Sequence, residues 1–216
     1  MEYALKKHKT NEGWILFDVG ANEGQFVRTM SKIFVEPFQI YSFEPSRLAF
    51  NKLNENINSE NIRCFNHGFG SEEGQASLYN TGSLIGTIYP LNDLKGQKEL
   101  VSLKTIDDFC VDHGIDNIFY LKIDVEGGEL DVLNGSRNML KQGRIHFIQF
   151  EFGPNCMKAK VYLKDFFEIL KDYQIYRIVK DGLRHLKKYD EILEIPLTGN
   201  FFAELNTKHC KEAGLM

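Results

Sequence analysis

The sequence predicts a single doubly wound α/β domain: an open, mostly parallel sheet with helices on both faces. Three observations carry that expectation. Short continuous apolar runs recur along the chain, stretches with apolar residues at helical spacing separate them, and glycines or acidic residues stand where the runs end. The 216 residues suffice for one sizeable core, and 43% hydrophobic with 26% charged residues excludes a disordered or collagen-like chain. No internal repeat, Pro-rich linker or low-complexity tract divides the chain, so residues 1–216 read as one domain with 1–13 as a short N-terminal extension.

In order, Trp14 to Val19 is a run of the kind buried on both faces, ended by Gly20. Phe26, Val27, Met30, Ile33 and Phe34 then fall at helical spacing, so a helix starts near Gly24 or Gln25. Phe38 to Phe43 is a second strand, cut by Glu44-Pro45, and Ala49, Phe50, Leu53 and Ile57 mark the next helix. Ile62 to Phe69 reads as a third strand. Residues 75–104 break the rhythm with short strands around a Gly- and Asn-containing loop, an insertion able to reach over a site. Thr105, with Asp108 three positions on, predicts a capped helix running to about His113. Ile118 to Val125 is the next strand, and Leu130, Leu133 and Leu140 line the helix behind it. Ile145 to Phe152, a helix through Leu163, Phe166, Phe167 and Leu170, and strands near 175–179 and 201–205 complete the order.

Lys+Arg 26 against Asp+Glu 30 gives a net charge of −4, which argues against a nucleic-acid partner. The basic clusters Lys6-Lys7-His8-Lys9 and Arg184-His185 with Lys187-Lys188 read as solvated faces or termini. Cys64, Cys110, Cys156 and Cys210 contain no C-x-x-C pair, so neither a zinc site nor a disulfide framework is expected. No stretch approaches the ~20 apolar residues of a membrane span, and residues 1–14 lack the apolar core of a signal peptide. The expected location is cytoplasmic.

In a doubly wound fold ligands bind beyond the carboxyl ends of the strands, which singles out the residues after each apolar run. Asp18-Val19-Gly20-Ala21-Asn22-Glu23-Gly24 offers two turn-forming glycines before a helix, but Asn22 stands where a dinucleotide fingerprint needs its second glycine. Asp18 and Glu23 suit a ligand with cationic groups better than a pyrophosphate. Glu44, about 20 positions further, has the spacing of a carboxylate that accepts from ribose hydroxyls. Period-2 alternation puts Lys122, Asp124 and Glu126 on one side of their strand, charges that are costly to bury unless paired or engaged with a ligand. Glu151 ends the following strand in the same topological position, so Asp124, Glu126 and Glu151 are expected to converge on one pocket. His67 and His146 lack metal-ligand spacing.

The set DVGANEGQF (18–26), SFEPS (42–46), LKTIDDF (103–109), LKIDVEGGELDVLNGS (121–136) and IQFEF (148–152) resembles the FkbM family of S-adenosylmethionine-dependent methyltransferases over roughly residues 14–152. The resemblance implies a Rossmann-like class I methyltransferase domain with a seven-stranded sheet whose last strand is antiparallel. It also implies O-methylation of a hydroxyl on a sugar or secondary metabolite. Carried over by position, it assigns the methyl donor to Asp18, Gly20, Ala21, Asn22, Gly24, Glu44, Pro45 and Asp124, with adenine near Gly68 to Ser71, Gly70 and Ser71 included. The insertion at 75–104 would then cover the acceptor, a small molecule or glycan. A weak hydroxyl nucleophile needs help losing its proton, and Asp124 is the expected base, with Glu126 or Glu151 shaping the site and Lys122 tuning the carboxylates. A divalent metal in place of a base is the less favoured version. A nicotinamide-dependent oxidoreductase and a non-catalytic nucleotide-binding module are the other classes the residues leave open.

Overall fold

The computed structural model describes residues 13–33, 38–80, 86–88, 98–195 and 197–206. Strand β1 (Trp14–Val19), helix α1 (Gln25–Ile33), β2 (Phe38–Phe43), α2 (Arg47–Asn56) and β3 (Ile62–Phe65) form the first half of the main sheet. The second half adds β8 (Ile118–Ile123), β9 (Ile145–Phe152), β10 (Tyr173–Val179), β11 (Gly182–Leu186) and β12 (Gly199–Leu205). Between them lie β4 (Gly68–Phe69), β5 (Gly74–Asn80), β6 (Gly86–Thr87), β7 (Lys98–Lys104) and α3 (Ile106–His113). Helices α4 (Glu129–Asn134) and α5 (Arg137–Lys141) follow β8, and α6 (Pro154–Lys158) and α7 (Leu163–Ile169) follow β9.

The main sheet runs β3-β2-β1-β8-β9-β12-β10-β11. Its first five strands are parallel, and β12 enters antiparallel between β9 and β10. Eight strands stand where seven were expected. The extra one is β11, a hairpin return from β10 whose Arg184 and His185 are exposed on the sheet edge. Charged side chains there discourage pairing with a further strand. The cluster 6–9 lies outside the described residues, as do Cys210 and Phe34, the last residue expected in α1.

Alternation along the strands sends side chains into two cores. Phe17, Phe43, Leu121, Ile123 and Phe150 pack with α3, α4 and α7 on one face, and Leu16, Ile40, Tyr120 and Phe147 pack with Val27 and Met30 of α1 on the other. Phe109 of α3 anchors the first core edge-on to Phe43, with ring centroids 4.9 Å apart. Such aromatic pairs contribute about 0.5–1.5 kcal/mol beyond area burial. His67 is a core residue, its ring packed against Phe43 and Phe69 and its Nδ1 3.0 Å from the Gly68 carbonyl.

Two expected elements divide. The run Ile62 to Phe69 breaks at Asn66, whose side-chain amide donates to the Glu44 and Pro45 carbonyls at 2.9 and 3.0 Å. β4 therefore leaves the main sheet and pairs with β7 in a second, four-stranded sheet, β4-β7-β5-β6. The helix expected through Leu130 and Leu140 breaks at Gly135, where a Cβ would lie 2.1 Å from the Gly70 carbonyl oxygen. Asp107 then caps α5, accepting from the backbone N–H groups of Asn138 and Met139 at 2.8 and 2.9 Å. Thr105 caps α3 as expected, accepting from Asp108 N–H at 3.0 Å.

Candidate functional site

The carboxyl ends of β1, β2 and β8 meet in one place. Gly20 and Ala21 both donate backbone N–H groups to the Phe43 carbonyl at 3.0 Å, and Asp124 N–H donates to the Val19 carbonyl at 3.0 Å. Gly20 has φ +79°, and a Cβ there would lie 1.9 Å from the Asp124 carbonyl oxygen, so only glycine lets the two strand ends approach this closely.

A cleft with about 760 Å³ of empty space, its open mouth included, lies above this junction. Gly20, Asn22, Glu44 and Pro45 line one side, and Asp124, Val125, Glu126 and Gly128 the other. Gly68, Phe69, Leu78, Ile88 and Leu103 supply an apolar wall, the last three from the segment 75–104. Of the residues expected to hold a donor, Gly20, Asn22, Glu44, Pro45 and Asp124 face the cleft. Asp18, Ala21, Gly24, Gly70 and Ser71 do not line it. Of the segment Gly68 to Ser71 expected near the adenine, Gly68 and Phe69 line the cleft and Gly70 and Ser71 do not. Glu23, expected to line the loop, instead pairs with Lys52 at 2.8 Å.

Glu44 is almost buried, and both its oxygens are held by backbone: Asn22 N–H donates to Oε2 and Ser46 N–H to Oε1, each at 2.9 Å. Burial pushes its carboxyl up to about 7 despite those two hydrogen bonds. Asn22 sits at φ +49°, a left-handed conformation asparagine tolerates, and its buried side-chain Oδ1 has no hydrogen-bond partner.

Asp124, Glu126 and Glu151 cluster, with one carboxylate oxygen from each within 4.8 Å of the others, but only Asp124 and Glu126 are among the residues lining the cleft. Burial, with the Asp124, Glu126 and Glu129 carboxylates, raises Glu151 to about 7 against the pull of Lys122. Glu126 is held at φ +59°, with Asn155 Nδ2 donating to its Oε2 at 2.8 Å and the Thr87 hydroxyl to its carbonyl at 2.9 Å. Lys122 does not line the cleft; its Nζ lies beneath, 3.1 Å from Asp18 Oδ1 and 3.3 Å from Asp124 Oδ2.

Glu129, within the stretch LKIDVEGGELDVLNGS, has no role that the sequence assigns. It is buried, and its carboxylate accepts from Val125 N–H at 3.0 Å and twice from Gly127 N–H, at 3.2 and 3.0 Å. The Cys156 thiol donates to the same carboxylate at 3.2 Å. Glu129 thus fixes the loop that presents Asp124 and Glu126.

Residues 18–175 match the Methyltransferase FkbM domain. The chain is similar to the 2-O-methyltransferase NoeI of Sinorhizobium fredii, 21% identical over 178 residues that cover 74% of this chain and 72% of that protein. It is also similar to the hexuronic acid methyltransferase AglP of Haloferax volcanii, 26% identical over 69% of this chain and 61% of that protein. The crystal structure of methyltransferase FkbM from Methylobacillus flagellatus KT superposes with a TM-score of 0.57 at 19% identity. That match covers 92% of this chain but only 45% of the Methylobacillus chain. The N-terminal domain of human METTL16, solved in complex with SAH, shares the fold with a TM-score of 0.51 at 12% identity, over 95% of this chain and 66% of that one. The chain belongs to the FkbM methyltransferase family.

Proposed function

We propose that this methyltransferase uses S-adenosylmethionine to methylate a hydroxyl of a sugar or small secondary metabolite. The observation that carries the reading is the Glu44 carboxylate at the end of β2, facing Asp124 and Glu126 across one cleft. When bound, the donor supplies an electrophilic methyl group on a sulfonium.

The residues fit such a donor. Each Glu44 oxygen accepts one backbone N–H and keeps acceptor capacity for a vicinal ribose hydroxyl. The unpartnered Asn22 Oδ1 adds an acceptor beside it. Pro45, Gly68, Phe69, Leu78 and Leu103 give the cleft an apolar wall against which a flat purine ring could lie.

For the acceptor we assign the proton to Glu151 rather than to Asp124, the base expected from sequence. Asp124 is paired with Lys122, whereas Glu151 is poised at about 7, where a base is most effective near neutral pH. Glu126 and Asp124 then hold and orient the acceptor hydroxyls. The hexuronic acid in the name of the AglP relative and the 2-O-methyl transfer in the name of the NoeI relative support a hydroxylated sugar acceptor. Transfer of labelled methyl from the donor to a panel of glycosides tests the activity, and a panel with no labelled product overturns it. Glu151→Gln is expected to lower turnover by about 10²–10⁴-fold with little change in donor affinity, and wild-type turnover in this variant removes Glu151 as base. Activity in chelator is expected to be full; its abolition would favour the metal version.

A further inference from the structure

Lys122 is the one charged residue of β8, a strand whose six residues are all buried. Its ammonium meets three acceptors on two strand ends: Asp18 Oδ1 at 3.1 Å, Asp124 Oδ2 at 3.3 Å and the Gly20 carbonyl at 3.5 Å. The ring of Phe26 lies 5.7 Å from Nζ. An ammonium has three donors, so this arrangement uses all of them.

Cross-linking β1 to β8 does not need this charge. The backbone ladder already pairs Asp18 with Lys122, and Asp124 N–H already reaches the Val19 carbonyl. A hydrophobic pair is often at least as stabilising as a buried ion pair. What the ammonium adds is a simultaneous hold on Gly20, in the turn beside Glu44, and on Asp124, in the acid cluster. It also takes Asp124 Oδ2, which leaves Oδ1 as the oxygen for a ligand.

We propose that Lys122, anchored by the wholly buried Asp18, is a positioning residue that couples the donor-binding turn to the acidic side of the cleft. Asp18 on this account serves Lys122 and not the donor, which agrees with its place below the cleft lining. The inference rests on the methyl-donor reading, and the tests separate the two.

The first test uses the unaltered chain. In nitrogen-15 spectra of lysine ammonium groups, the Lys122 signal is assigned by its absence in Lys122→Arg and followed as S-adenosylhomocysteine is added. A shift that saturates with binding is expected, and a signal indifferent to saturating ligand overturns the coupling. The second test is the neutral double variant Asp18→Asn with Lys122→Met, because Lys122→Met alone would strand a buried carboxylate. It is expected to melt close to the wild-type temperature yet bind S-adenosylhomocysteine about tenfold or more weakly. Wild-type affinity in the folded double variant overturns the proposal, and the ammonium spectrum decides the matter if that variant does not fold. If the wild-type chain shows no binding, the donor reading falls and takes this inference with it.

Discussion

At Glu44 two demands oppose each other. Burial favours the protonated carboxyl and holds it at about 7, while the Asn22 and Ser46 N–H groups, and any ribose hydroxyl, favour the ionised form. A ligand that donates hydrogen bonds to this carboxylate must therefore bind better as Glu44 ionises. Calorimetric titration with S-adenosylhomocysteine is expected to show affinity rising from pH 6 to pH 8, and Glu44→Gln should flatten that rise. The same variant should weaken binding at pH 8 by about 1.5–3 kcal/mol, the usual contribution of hydrogen bonds to a charged group. Glu44 was legible in the sequence because its spacing from the glycine turn is set by one helix and one strand. The roles of Asp18 and Glu129 were not: each depends on a partner distant in the chain or on the path of a loop, and neither leaves a periodic signal. Which residues of the expected segment Gly68 to Ser71 line the cleft was not legible for a similar reason, since an apolar run does not reveal which sheet its last residues join.

The elements that build the site depend on a few close approaches. Gly20→Ala would place a methyl group inside the Asp124 carbonyl and also require φ +79° of an alanine. Strain of that kind belongs among the large substitution effects, above about 4 kcal/mol, and loss of cooperative unfolding in urea is the expected result. Asp107→Ala is milder. It removes the carboxylate that receives two N–H groups at the start of α5 and should lower stability by about 0.5–2 kcal/mol, read as a shift in urea midpoint at unchanged slope. Strands β1, β2 and β9 follow their apolar runs to the residue because both faces are covered. β11 leaves no apolar run in the sequence because it is an exposed edge strand carrying Arg184 and His185.

Across the whole molecule, the acidic groups of the site shape stability. Glu44 and Glu151 are both raised to about 7 in the fold, well above an exposed glutamate. The folded chain binds these protons more tightly than the unfolded one. Their contribution is therefore full below about pH 4.5 and is lost as pH rises through 7. The combined variant Glu44→Gln with Glu151→Gln should lose less stability than wild type between pH 5.5 and pH 8, as thermal melting would show. An equal loss would mean that neither group is raised. The doubly wound order was legible because alternating strand and helix signals admit few topologies, whereas the strands of residues 75–104 did not reveal that they pair with β4 as a separate sheet, since pairing partners leave no mark on a single strand's pattern. The chain spans 61% of the Haloferax relative and 45% of the Methylobacillus structure, and the donor-binding frame proposed for it is Glu44 with the wall of Pro45, Phe69 and Leu103. The most direct test of that frame is a crystal structure with S-adenosylhomocysteine. The account predicts the ribose hydroxyls on Glu44 and the purine between Pro45, Phe69 and Leu103; a ligand bound elsewhere, with Glu44 untouched, would contradict it.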